Sequence, residues 1–132
     1  MLWTNSKYVG DGDVFLATER NYKYIDLNLL KKVSEIVFVS DENKYIYDNY
    51  YDKIKDIKLI GITGTNGKTT TCYLIYQMLN LIGIKTAYIG TIGFYIDDMV
   101  FKLDNTTPEI SLLYNMLYYA KKRKCKVVVM EV

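Results

Sequence analysis

Lys68, Thr69 and Thr70 close a glycine-bearing loop, a grouping of residue types suited to holding phosphate. The stretch Leu59-Ile60-Gly61-Ile62-Thr63-Gly64-Thr65-Asn66-Gly67-Lys68-Thr69-Thr70-Thr71 passes from an apolar run through the loop into a helical apolar pattern. That is the layout of a phosphate-binding loop. Glycine allows positive φ and close approach of backbone to ligand. Successive N–H groups then turn inward as an anion nest, and the helix that follows offers its free N–H groups and positive dipole end to the same anion. Lys68 supplies a mobile charge for β- and γ-phosphates, and the Thr69 hydroxyl is placed to coordinate Mg²⁺. The spacing is not the common G-x-x-x-x-G-K-[ST], because Ile62 stands where the first glycine belongs. A turn before a helix can produce such a string with no ligand, so the flanking strand and helix are the context that the motif requires.

Two further groups could complete the chemistry. Glu131 follows the expected strand Lys126–Met130, apolar from Val127 on, and sits at its carboxyl end. In an open parallel sheet ligands bind beyond those ends, and a carboxylate there can hold Mg²⁺. Mg²⁺ favours carboxylate, hydroxyl and phosphate oxygens, so Thr69 and Glu131 form a sensible pair. An acidic residue that merely ends a strand explains Glu131 equally well. Asn105-Thr106-Thr107 precede Pro108 and Glu109 at a helix start. Thr106 and Glu109 fit a capping box; the alternative is that the hydroxyls and free N–H groups hold an anionic substrate. Histidine is absent from the sequence, which excludes Ser-His-Asp or Cys-His catalysis within this chain.

The elements that must position these groups are legible as alternating strands and helices. Val14–Ala17 and Glu35–Val39 read as strands flanking a helix over Tyr24–Val33, a small α/β module. Met1–Gly10 reads as irregular, and Glu42–Asp56 as a short helix or connection. Lys58–Thr63 is the strand feeding the loop. The helix after it is expected from Lys68 to Leu81, with Thr71, Ile75, Met78, Leu79 and Ile82 as its buried stripe. Gly83 is placed to end it. Lys85–Ile89 is the next strand, parallel to the first by the usual crossover. Gly90-Thr91-Ile92-Gly93 reads as a turn, and 94–101 as a hairpin around Asp97-Asp98. In the last helix Leu113, Met116, Leu117 and Ala120 form the apolar face, closed by Lys121, Lys122, Arg123 and Lys124 as a solvated end. The expected fold class is α/β: a small amino-terminal α/β domain over residues 1–56, then over 57–132 the first part of a P-loop central domain with a mainly parallel sheet.

Composition narrows the partners. The 132 residues suit one domain or two small ones, and half of them are apolar or aromatic. A net charge of +2 gives no argument for a nucleic-acid partner. The start Met1-Leu2-Trp3-Thr4-Asn5 lacks the pattern of a secretion signal, and no apolar run approaches the about 20 residues that span a bilayer. Cys72 and Cys125 stand far apart, in no metal-ligand pattern, as expected of reduced structural thiols in a cytosolic protein.

Gly61–Thr71 resembles the ATP loop of the Mur ligases, whose motif is G-T-N-G-K-T, and that resemblance accounts for Ile62. Gly90-Thr91-Ile92-Gly93, Asn105-Thr106-Thr107-Pro108 and Met130-Glu131-Val132 resemble the G-T-I-G segment, the N-T-T-P substrate motif and the start of M-E-V-S-S-H in the MurE type of that family. Earlier in the chain, Asn5-Ser6-Lys7 and Gly12–Ala17 resemble its D-S-R and G-D-L-F-V-A, with Asn for Asp and Lys for Arg; Thr18–Tyr22 replaces the usual glycine-rich stretch.

The resemblance implies an ATP-dependent amide ligase of peptidoglycan synthesis, cytoplasmic and monomeric. It adds lysine or diaminopimelate to UDP-MurNAc-L-Ala-D-Glu through an acyl phosphate. It implies ATP on Gly64, Thr65, Asn66, Gly67, Lys68, Thr69 and Thr70, with Lys68 catalytic. Mg²⁺ falls to Thr69 and Glu131, and the nucleotide-sugar peptide to Ser6, Asn105, Thr106 and Thr107. S-S-H and the carboxy-terminal domain of the family have no counterpart here, so the chain is expected to be an amino-terminal fragment, inactive alone. The competing readings are another P-loop amide ligase (MurT, cyanophycin synthetase or folylpolyglutamate synthase type) and a non-catalytic nucleotide-binding module.

Overall fold

The strands and helices follow one another as β1 (Leu2–Trp3), β2 (Val14–Ala17), α1 (Leu27–Lys32), β3 (Glu35–Phe38), α2 (Glu42–Tyr50), β4 (Lys58–Ile62), α3 (Lys68–Leu81), β5 (Thr86–Gly90), β6 (Gly93–Ile96), β7 (Asp98–Phe101), α4 (Ile110–Lys122) and β8 (Val127–Glu131). The computed structural model describes residues 1–103 and 109–132. It divides into one unit of Met1–Asp52 with Ile110–Asn115, and a second of Lys53–Glu109 with Met116–Val132.

The first unit is built on a parallel sheet in the order β1-β2-β3. Its central strand places Phe15, Leu16 and Ala17 out of solvent. Phe15 and Ala17 pack with Val9 and Leu29, against the partly buried Trp3, Ile25, Val33 and Ile36. β1 corrects the expectation of an irregular amino terminus. Two residues are too few to show a strand's alternation, yet Leu2 and Trp3 pair in register with Val14 and Phe15. Side chains of α4 meet this strand: Leu2 N–H donates to Asn115 Oδ1 (3.2 Å), and Thr4 N–H to Ser111 Oγ (3.2 Å). Serving buried backbone donors explains why two polar residues of α4 are buried. The helix α1 is shorter than expected because Asp26 caps it, its carboxylate accepting from Leu29 N–H at 2.9 Å. The residues before it form a separate 3₁₀ turn, Tyr22–Tyr24.

The second unit holds a five-stranded sheet in the order β4-β8-β5-β6-β7. β4, β8 and β5 are mutually parallel, and β6 and β7 run antiparallel. The two strands joined by α3 are therefore parallel but not neighbours. β8 lies between them, its Val129 opposite both Ile60 and Tyr88. On one face Cys72 and Tyr76 of α3 pack with Tyr88, Val127 and Val129, supported by Ile60, Ile62, Tyr73, Ile75, Leu79 and Tyr95. On the other face Phe94 meets the ring of Tyr119 of α4.

Helix α3 spans Lys68–Leu81, as the sequence predicts, but its buried stripe does not. Met78 and Ile82 are well exposed. The stripe runs through Cys72, Ile75, Tyr76 and Leu79, which keep the same i, i+3, i+4 spacing with tyrosine in apolar company. In α4 Met116, Leu117 and Ala120 are buried as expected, whereas Leu113 is only partly so. Glu109 occupies the cap position before Ile110 rather than a place inside the first turn.

Both long helices end on the same double hydrogen bond. In α3 Gly83 N–H reaches Asn80 O (3.1 Å) and Ile84 N–H reaches Leu79 O (2.9 Å); in α4 Lys124 and Cys125 repeat this on Lys121 O and Ala120 O. The geometry needs a left-handed residue. Gly83 supplies φ +89°, while Lys124 is forced to +66°. We predict that Lys124→Gly stabilises the chain by about 0.5–1 kcal/mol and Gly83→Ala destabilises it by about 1 kcal/mol or more. Both are read from urea unfolding.

A buried carboxylate at the sheet edge

The carboxyl ends of β4, β8 and β5 all lie at one edge of the second sheet. β4 leads there into the loop Thr63–Gly67, whose residues are exposed. The loop enters α3 through Gly67, held at φ +79°, ψ 7°, a conformation in which a side chain is strained. Lys68 and Thr69 open the helix, both partly buried. Gly64, Thr65, Asn66 and Thr70 lie around them on solvent-facing backbone. This is a helix amino terminus preceded by free backbone donors, an arrangement suited to anions.

Glu131 ends β8 directly opposite Ile62, the last residue of β4. It is 1% exposed. The Thr69 hydroxyl donates to its Oε1 at 2.8 Å, and the Thr91 hydroxyl to the same oxygen at 3.2 Å. Oε2 accepts from the Tyr88 hydroxyl at 2.6 Å and from Thr91 N–H at 2.7 Å. The two residues paired in the sequence analysis as a cation site, Thr69 and Glu131, are thus in direct contact. Burial pushes the Glu131 carboxyl toward the protonated form. The donors from Tyr88, Thr91 and Thr69 outweigh that and hold it below its ordinary value of 4.5. The Tyr88 phenol moves upward, first through burial and then through its bond to Glu131 and that group's charge. Burial and the Glu131 charge also push the Cys72 thiol to about 11, so it stays protonated at neutral pH.

Gly90 makes this contact possible. A Cβ built on it would collide with Glu131 Oε2 and with the hydroxyl and ring carbon of Tyr88. The Gly90–Gly93 turn is legible in the sequence, but its role as donor to Glu131 is not. Tyr88 reads there only as a strand residue. The missing information is that β8, last in the chain, lies beside β5.

Asn105, Thr106 and Thr107 fall outside the described residues. Ser6 belongs to the first unit, in a cavity of about 170 Å³ with Tyr24, Asp26, Asn28, Leu29 and Lys32. It does not line the larger cavity of about 820 Å³ beyond β2 and β3, where Thr18, Arg20, Tyr22, Phe38, Ser40 and Asp41 converge. Among the described residues no helix is long and apolar enough to cross a membrane.

A sequence profile for the Mur ligase middle domain matches residues 62–132. A UDP-N-acetylmuramoyl-L-alanyl-D-glutamate–2,6-diaminopimelate ligase of Helicobacter pylori is 43% identical over 120 residues, 90% of this chain and 25% of that protein. Ligases of the same name from Helicobacter hepaticus and Wolinella succinogenes are 35% and 47% identical, over 92% and 58% of this chain and 26% and 18% of theirs. A solved structure of a ligase of that name superposes on 99% of this chain and 31% of its own, with a TM-score of 0.67 and 21% identity. That likeness bears on the mixed α/β fold. The chain spans about a quarter of the length of the Helicobacter relatives.

Two outcomes test the site as built. Gly90→Ala displaces Glu131 or Tyr88 and destabilises the chain by about 1–3 kcal/mol, the cost of losing a buried polar group's partner. A urea midpoint equal to that of the unsubstituted chain contradicts this. Because the folded carboxyl lies below 4.5, its contribution to stability is complete above that pH and is lost as pH falls through the lower folded value. Unfolding free energy measured against pH is therefore flatter for Glu131→Gln than for the parent over the range below 4.5.

Proposed function

As this chain belongs to the Mur ligase family, we propose that residues 58–132 carry the ATP- and Mg²⁺-binding part of an amide ligase acting on UDP-MurNAc-L-Ala-D-Glu. The added amine is a diamino acid, and the names of the relatives favour diaminopimelate over lysine. The observation that carries this reading is the 2.8 Å contact between Thr69 Oγ1 and Glu131 Oε1, at the carboxyl edge of a parallel sheet and beside the glycine loop.

The residues present fit both ligands. Thr69 and Glu131 offer the hard oxygens that Mg²⁺ prefers. Among the described residues no group of three His, Cys, Asp or Glu side chains could hold a metal. A Mg²⁺ held by Thr69 and Glu131 would neutralise phosphate charge. The chain's own part is positioning. Backbone N–H groups of Gly64–Thr70 cradle the phosphates, and Lys68 draws charge from the β- and γ-oxygens. Buried Glu131 and its donors keep Thr69 in one place.

The substrate carboxylate attacks the γ-phosphorus and ADP departs. The amine then displaces phosphate from the acyl phosphate. Asn105, Thr106 and Thr107 hold the nucleotide-sugar peptide, with Ser6 on its uridine diphosphate. We place this reaction in the cytoplasm, where ATP and nucleotide sugars occur; two buried, free cysteines suit such a reducing setting. The protein acts as a monomer.

Ligation of UDP-MurNAc-L-Ala-D-Glu to diaminopimelate, assayed in the protein that carries these residues at the full length of its relatives, tests the reading. Lys68→Ala lowers turnover by about 100- to 1,000-fold, the range for removing one group aimed at transition-state charge. Turnover near that of the parent overturns it.

A further inference from the structure

The two oxygens of Glu131 are not equivalent. Oε2 is taken up by the Tyr88 hydroxyl and Thr91 N–H, both from β5 and the turn that follows it. Oε1 faces the loop side and meets the Thr69 hydroxyl, with Thr91 Oγ1 farther off at 3.2 Å. Tyr88 is fully buried, and its ring is fixed from several directions. Tyr73 and Tyr95 stand edge-on to it at 5.7 and 5.8 Å between centroids, and Tyr76 lies at 6.1 Å. Tyr95 is also its direct partner across the β5–β6 ladder. A backbone hydrogen bond from Ile92 reaches the same phenol, so the hydroxyl ties the turn to the end of β8. Gly90 leaves the space in which Tyr88 and Glu131 meet. Such packing holds the phenol in place. It aims one donor at one oxygen.

Resting on the reading of Thr69 and Glu131 as the cation site, we infer that Tyr88 is a positioning residue for Glu131. By occupying Oε2, together with Thr91 N–H, it turns Oε1 toward Thr69 as the carboxylate oxygen presented to a divalent cation. Tyr88 does not touch cation or nucleotide. Its effect passes through the carboxylate, as outer hydrogen bonds orient metal ligands elsewhere.

Tyr88→Phe keeps the ring among Tyr73, Tyr76 and Tyr95 and deletes only the hydroxyl. Two measurements on the protein that carries these residues at the full length of its relatives test the inference, each with the fold checked by circular dichroism. The first is a crystal structure of the variant: Glu131 is expected to rotate and its Oε1 to leave Thr69 Oγ1. A carboxylate still bonded to Thr69 and Thr91 as in the parent overturns the positioning role, whatever the site binds. The second is Mn²⁺ affinity, followed by electron paramagnetic resonance in the presence of a non-hydrolysable ATP analogue. The variant is expected to bind Mn²⁺ about 10-fold more weakly. Its affinity for the analogue without metal is expected to stay the same, a split that a general loss of packing does not produce. Equal Mn²⁺ affinity in both proteins overturns the inference. If the parent takes up no Mn²⁺ with the analogue, the cation reading of Thr69 and Glu131 fails, and the inference in its cation-directed form fails with it; the crystal structure still decides whether Tyr88 orients the carboxylate.

Discussion

A carboxylate buried at the end of β8 constrains everything around it. A charge taken out of water is tolerated only where donors replace the water. For Glu131 these donors come from three separate places: Thr69 at the start of α3, Tyr88 on β5, and Thr91 in the following turn. Each must come within hydrogen-bond reach of one group. The sheet order follows, because β8 must sit between the strand that feeds the loop and the strand that carries Tyr88. The small residue at position 90 follows too, since any side chain there would occupy the space of the contact.

The site has a rigid side and an open side. Tyr88 and Glu131 are buried, and the tyrosines around them belong to the same cluster that holds α3 on the sheet. The loop Gly64–Gly67 is exposed and carries positive φ at both glycines. The buried carboxylate and the exposed loop therefore meet at Thr69, which follows the loop and donates to Glu131. That combination is what the proposed reading of the site requires of a ligand, phosphate on backbone donors and a cation on Thr69 and Glu131. The first unit contributes a different kind of surface, a cavity beyond β2 and β3 lined by Arg20, Phe38 and Ser40.

What could be read from the sequence was local. Gly67 and Lys68 mark the start of α3 because a left-handed glycine and a helical pattern are adjacent in the chain. Gly83 marks its end for the same reason. Thr69 and Glu131 could be paired because each closes or opens an element at a predictable edge. The donors from β5 could not, because they depend on a strand 40 residues away lying next to Thr91. The buried stripe of α3 was misplaced because tyrosine passes for a polar residue in a periodic pattern, whereas Tyr76 packs against Val129 and Tyr88. Ser111 and Asn115 broke the apolar face of α4 for a reason no pattern contains: they serve the backbone of Leu2 and Thr4.

The central claim is that Thr69, Glu131 and the glycine loop make one site for a metal–nucleotide pair. A crystal structure, with Mg²⁺ and a non-hydrolysable ATP analogue, of the protein that carries these residues at the full length of its relatives tests it most directly. The account predicts a cation bound by Thr69 Oγ1 and Glu131 Oε1, with β- and γ-phosphates on the backbone of Gly64–Thr70. Phosphates bound instead in the cavity lined by Arg20 and Ser40, with Thr69 and Glu131 free of metal, contradict it.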